Sequence, residues 1–161
     1  LSHSSAASDV YKRQLVSIIN WQYPESSWDY LALSSCVAVA CSDTLASEIG
    51  SLDTRTRSII NLQAVPQGTN GGMSPTGTVA AVFGALSIAV LAAMLPVDGG
   101  FDTSLPIFIC LVSAIGWFGC QIDSLLGAVL ENQGHIGKHA VNLLATFSGA
   151  VLAVIVNYQF L

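Results

Sequence analysis

Four long apolar runs separated by short polar stretches set the pattern of this chain. They are Tyr30 to Glu48, Thr76 to Leu95, Leu105 to about Ile122, and Ala140 to about Tyr158. Each is close to the length that crosses about 30 Å of hydrocarbon at a rise of about 1.5 Å per residue. The second carries no charged residue, and Ala81, Ala85, Ala89 and Ala93 recur in it at i+4. That spacing makes a small-residue stripe on which another helix can approach closely. The polar stretches are Gly50 to Ser74, Pro96 to Thr103 with Asp98 and Asp102, and Glu131 to His139. No internal repeat, heptad or soluble second domain is visible. The pattern predicts an all-α fold, a polytopic integral membrane helical bundle with about four transmembrane helices.

Composition supports this reading. Of 161 residues, 52% are hydrophobic and only 9% charged, against about a quarter charged in a soluble domain. Mean hydropathy is +0.62. The net charge of −5 argues against nucleic acid as a partner, which calls for clustered Lys and Arg. Cys36, Cys41, Cys110 and Cys120 all lie in apolar runs without Cys-x-x-Cys spacing, so they read as small buried hydrophobes. Leu1 to Gln14 is polar, lacks the apolar core of a secretory signal, and reads as a non-native leader of translated adaptor sequence. Residues 15–161 then form one membrane domain, incomplete at its N-terminus. In it, Leu15 to Ile19 is the tail of a lost helix, and Trp21, Tyr23 and Trp28 suit a membrane interface.

Charge also orients the spans. Arg55 and Arg57 follow the first run and Lys138 follows the third, whereas the loop between the second and third holds only acids. The positive-inside rule puts loops 50–74 and 124–139 on the cytoplasmic or stromal side. The candidate chemistry collects there. In Ala40 to Gly50, Asp43 and Ser47 are four apart, as are Thr44 and Glu48, and together they span about 140° of helix. Such a wedge suits a hydrated cleft in which carboxylates hold Mg²⁺ with substrate phosphates. It suits equally well a helix end meeting water. Pro66-Gln67-Gly68-Thr69-Asn70-Gly71-Gly72 can turn backbone amides toward an anion ahead of a helix N-terminus. It lacks the Gly-Lys-Ser/Thr of a P-loop and taken alone reads as a tight turn. Asp123, Ser124, Gly127 and Glu131 share a helical face within about 100°. Asn142, Thr146 and Gly149 form a stripe that suits helix packing, apart from Asn142. His135 and His139 read as solvated loop histidines between Gly134 and Gly137.

Four segments in order, Asp43 to Gly50, Val65 to Gly72, Asp123 to Ala128, and Ala140-Val141-Asn142-Leu143, resemble the family of transmembrane protein 19. That family includes the plant chloroplast phytyl-phosphate kinase. The resemblance covers most of Trp28 to Tyr158, roughly the C-terminal half of a family member. It implies a membrane prenyl-phosphate kinase, which moves a phosphoryl group from a nucleoside triphosphate, CTP in the plant enzyme, to a phytyl or other prenyl monophosphate. By the same resemblance Asp43 and Glu48 are similar to the family's acidic pair and Asp123 to its second acid, and the three are expected to be the catalytic, Mg²⁺-holding acids. Gly68, Thr69, Asn70, Gly71 and Gly72 resemble its phosphate loop, and with Ser47, Ser124 and Asn142 would contact substrate, as would Arg57 from nearby. The chain departs from the family in three places. Gln63 and Ala64 stand where a Lys often precedes the Val-Pro of the loop. Gly137-Lys138-His139 replaces Asp-Asn-Asn, so that either part of the site is altered or Lys138 substitutes for the lost cation. Glu131 stands where Gln is common.

The chemistry agrees with the residue-level reading, since phosphoryl transfer needs positioning and charge neutralisation, and a lipid phosphate keeps its head at the membrane edge. The alternatives are a transporter or lipid-binding protein, whose site belongs nearer the midplane, and a structural membrane subunit.

Overall fold

The computed structural model describes residues 28–95 and 103–160. The proposed leader, the aromatic residues 21–24, and Asp98 and Asp102 lie outside the described residues. Four helices carry the fold: α1 (Trp28–Gly50), α2 (Pro75–Met94), α3 (Leu105–Leu126) and α4 (Lys138–Phe160). A five-residue π-helical turn, Gly127–Glu131, extends α3. Among the described residues, these four helices are long and apolar enough to cross a membrane. The expected all-α membrane bundle is what the chain forms.

Local chemistry sets the helix ends. Ser74 caps α2, its hydroxyl accepting the Gly77 amide at 3.2 Å, and Pro75 fits the first turn, where no amide partner is needed. Leu95 is extended, as the residue before Pro96 must tend to be, and this stops α2. The third crossing does not stop near Ile122 as its hydropathy suggests. Helical structure continues to Glu131, and the following connection shrinks to residues 132–137, so Lys138 opens α4 rather than sitting in a loop. Hydropathy ends a span where polar side chains begin. Backbone helicity is indifferent to that change, and the Gly127 amide still donates to Asp123 O and Ser124 O.

The packing rests on small residues. Helix α1 sits against α2, α3 and α4. The alanine stripe is buried as expected: Ala81, Ala85 and Ala89 are fully enclosed, with Ala93 at the margin. A Cβ on Gly119 would come within 2.3 Å of Val39 Cγ2, and one on Gly149 within 2.8 Å of the same methyl. Helix backbones therefore touch through glycine where hydrophobic driving force between helices is absent. Larger residues seal the opposite end. Phe108 is fully buried and stacks on Tyr30 at 5.7 Å, and the Tyr30 hydroxyl donates to Ala92 O at 2.7 Å. Val79, Phe83, Leu91, Phe147 and Ile155 point outward, as lipid-facing side chains do. Between α1 and α2 the chain forms a two-stranded antiparallel ribbon, β1 (Arg57–Ser58) with β2 (Gly72–Met73), pairing Arg57 with Met73 and Ser58 with Gly72.

Candidate functional site

At one end of the bundle a cleft of about 150 Å³ collects residues from the end of α1, the β1–β2 connection, the start of α2, the end of α3 and the start of α4. Alternating helix directions bring these distant segments together. Asp43 and Ser47, about 40° apart on α1, both line the cleft. Glu48 does not: it lies about 140° from Asp43 on the same helix and is exposed. The expected triad of Asp43, Glu48 and Asp123 is therefore not assembled. Among the described residues no three His, Cys, Asp or Glu side chains gather as a metal site. Thr44 and Ser47 turn their hydroxyls back on the helix, donating to Ala40 O at 2.8 Å and Thr44 O at 3.0 Å, while Ser42 donates across to Ala81 O of α2 at 2.6 Å. That local bonding still leaves the Ser47 oxygen able to accept.

Asp123 and Ser124 line the cleft from α3. The Asp43 and Asp123 carboxyls face each other closely enough to interact through a hydrogen bond as well as through charge, and Lys138 and Glu131 act on Asp123 by charge. Two carboxylates this close repel unless a proton or a cation lies with them. Asn142 holds Asp123 from behind. With its amide nitrogen facing α3, it donates to Asp123 Oδ2 at 3.2 Å and to Lys138 O at 3.1 Å. It does not line the cleft, so its position makes it a support for Asp123 rather than a contact for a ligand. The π turn places Gly127 and Glu131 on the cleft wall as well. Such turns often occur at functional sites because they re-aim side chains within a continuous helix.

The glycine-rich connection lines the same cleft and packs on the end of α3. Two tight turns shape it, Thr69 N donating to Pro66 O at 3.3 Å and Gly72 N to Thr69 O at 2.8 Å. These bonds use the Thr69 and Gly72 amides. The amides of Gly68, Asn70 and Gly71 make no hydrogen bond among the described residues. Gly68 and Gly71 both take φ +74°, the left-handed region that glycine enters freely. Gly71 is also pressed on the π turn, where an added Cβ would stand 2.3 Å from Ala128 Cβ. Asn132 Nδ2 donates to Asn70 O at 3.2 Å and ties the loop to the residue after that turn.

Residues that give no signal in the sequence brace the loop. Asp53, its side chain only 5% exposed, accepts from Arg55 N, Nε and Nη2 and from the Thr76 amide and hydroxyl, at 2.9–3.3 Å. The Arg55 guanidinium beside it, helped by the Arg55 and Thr76 amides, holds its carboxyl well below the usual carboxylate range. Thr56 donates to Asp53 O at 2.9 Å and Ser74 to Gly50 O at 3.2 Å, so the end of α1 and the cap of α2 are joined. Arg57, expected at the substrate, is instead in β1, its Nη1 donating to Leu62 O at 2.9 Å, and it does not line the cleft. Lys138 does line it, as a substitute cation would. His135 and His139 are exposed.

A family model described as integral membrane protein DUF92 matches residues 5–150. The chain belongs to the DUF92 family. Two curated relatives agree with that placement. An uncharacterized membrane protein of Methanocaldococcus jannaschii is 34% identical over 131 residues, 81% of this chain and 52% of the relative. An uncharacterized membrane protein of Synechocystis is 32% identical over 135 residues, 81% of this chain and 49% of the relative. The DUF92 chain thus spans about half the length of these curated relatives. No solved structure matches it.

Proposed function

We propose that this DUF92 chain carries the phosphate-handling cleft of a membrane prenyl-phosphate kinase of the kind its motifs resemble, using CTP or another nucleoside triphosphate as donor. The observation that carries the reading is the facing pair Asp43 and Asp123 in one cleft with a glycine-rich loop whose Gly68, Asn70 and Gly71 amides are open. Anion-binding amides and paired acids are the complementary needs of a phosphate bound with Mg²⁺.

The donor set fits Mg²⁺, which is commonly held by one or two carboxylates together with substrate phosphates. Asp43 and Asp123 would hold it, and its charge would offset that of the phosphates. Glu48 and Arg57 have no part in this scheme. Asn142 fixes the Asp123 carboxylate, Lys138 contributes the cation of the cleft wall, and the open loop amides orient phosphate oxygens. In-line transfer then needs only that acceptor and donor phosphates be held together and kept from water. The cleft lies at the end of the spans, where a lipid phosphate head would sit with its chain in the bilayer. This end is proposed to face the cytoplasm or stroma, since it bears Arg55, Arg57 and Lys138. A transporter site belongs nearer the midplane.

The test uses the full-length protein in lipid nanodiscs with Mg²⁺, radiolabelled CTP or ATP, and phytyl, geranylgeranyl or farnesyl monophosphate. Labelled diphosphate is expected from the wild type and is expected to vanish in Asp43→Asn and Asp123→Asn variants that remain folded. A folded wild-type protein giving no product with any pair would remove the kinase reading.

A further inference from the structure

The outward tip of the β1–β2 connection is built in a way the cleft does not require. Ser58 to Gln63 closes on itself: Leu62 N donates to Ser58 O at 2.9 Å, Ser58 N to Gln63 O at 2.9 Å, and Gln63 N to Asn61 Oδ1 at 3.1 Å. Arg57 Nη1 adds a bond to Leu62 O at 2.9 Å. This braced turn presents Ile60 and Leu62 to the exterior, 59% and 60% exposed. Leu62 sits at φ +57°, and among the described residues it is the one non-glycine residue in the left-handed region. Asn enters that region far more readily than Leu, and Asn61 is the immediate neighbour. A bulky apolar residue is therefore held in a strained conformation, by several hydrogen bonds, with its side chain outward. An outlier so constrained is a reason to look for function.

We propose that this tip is an interfacial anchor, with Ile60 and Leu62 inserted among the lipids of the leaflet on the cleft side and Arg57 at the level of their phosphates. The occupant follows from position and charge. The connection leaves one crossing helix at Gly50 and enters another at Pro75, so both of its ends stand at the bilayer boundary. Its charged residues are Asp53, Arg55 and Arg57, and Arg55 is paired with Asp53. The net positive charge thus resides on Arg57, beside the two apolar side chains. Apolar residues next to a cation match an anionic membrane surface, where the side chains enter the acyl boundary and the guanidinium meets phosphate. The anchor fixes the height of the connection whose other limb is the glycine-rich loop.

Spin labels test this without reference to any catalytic activity. Ile60→Cys, Asn61→Cys, Leu62→Cys and Gln63→Cys are made in a full chain whose four native cysteines are alanine. Each is labelled and reconstituted in phosphatidylcholine–phosphatidylglycerol vesicles. Relaxation by oxygen, which concentrates in lipid, is compared with relaxation by a water-soluble nickel chelate. Oxygen is expected to dominate at 60 and 62, and nickel at 61 and 63. Adding Arg57→Gln is expected to raise nickel access at 62 in these vesicles but not in pure phosphatidylcholine. Equal nickel access at all four positions would overturn the proposal, and so would protection of 60 and 62 from both reagents, which would mark a protein partner. Should the cysteine-free chain not fold, Leu62→Trp in the native chain gives the same decision. Extra fluorescence quenched by brominated lipid supports insertion, and its absence overturns it.

Discussion

Asp53 shows how a single side chain can organise a region without chemistry of its own. Its carboxylate gathers five donors from Arg55 and Thr76, and the Arg55 guanidinium is the largest reason its acidity exceeds that of a free carboxyl. A group whose acidity is strengthened by folding stabilises the fold when ionised. That stability is fully present above the ordinary aspartate value of about 3.9 and is lost as the pH falls below it. The thermal midpoint of the wild type in detergent is therefore expected to drop as the pH falls below about 4. Asp53→Asn is expected to start lower and lose less over the same range, and parallel pH profiles for the two would contradict the assignment. None of this is legible in the sequence, where Asp53 is one acid in a polar loop. Asp43, Ser47, Asp123 and Ser124 were legible, because helical spacing and the ends of apolar runs predict where they emerge. Glu48 and Arg57 were misplaced for separate reasons. Glu48 is read from a wedge of about 140° that is too wide for one cleft, and Arg57 is read as a cation near the loop, whereas strand pairing commits it to the ribbon.

At the scale of elements, the glycine-rich connection and the π turn form one joint. Gly68 and Gly71 share the same φ of +74° and differ in surroundings: a Cβ on Gly68 meets nothing within 4 Å, and one on Gly71 meets Ala128 Cβ and Ser124 O at 2.3 and 2.9 Å. Gly68→Ala is expected to cost only the left-handed strain, about 1–2 kcal/mol. Gly71→Ala adds overpacking against a helix, about 1–3 kcal/mol more, and should separate the loop from α3. Chemical denaturation of both variants checks the order, and equal midpoints would refute the joint. The sequence revealed the glycines and their turn-forming character. It gave no sign of the π turn, since one extra residue in a helical turn leaves the hydrophobic pattern of the preceding crossing unchanged. The four crossings themselves were readable to within a few residues, apart from the end of the third, because length and apolarity alone decide them.

For the whole molecule, the alternation of four crossings puts every cleft element at one end. Thr54→Cys and Gln133→Cys, both at exposed positions, are expected to react with a membrane-impermeant maleimide from the same side of sealed vesicles, and Ser104→Cys from the other. Labelling of 54 and 133 from opposite sides would break the topology. The third crossing, counted to Glu131, has 27 residues against 20 for α2, so it extends about 40 Å compared with about 30 Å. Its last turns therefore stand beyond the hydrocarbon, in the layer where the bilayer's own phosphates are most concentrated. A cleft there stands among the phosphates of the neighbouring lipids, with the acids Asp43, Asp123 and Glu131 on its wall. On the proposed reading, a phosphate that leaves this layer for the cleft needs a cation beside those acids, so loading with metal and loading with substrate become one coupled event.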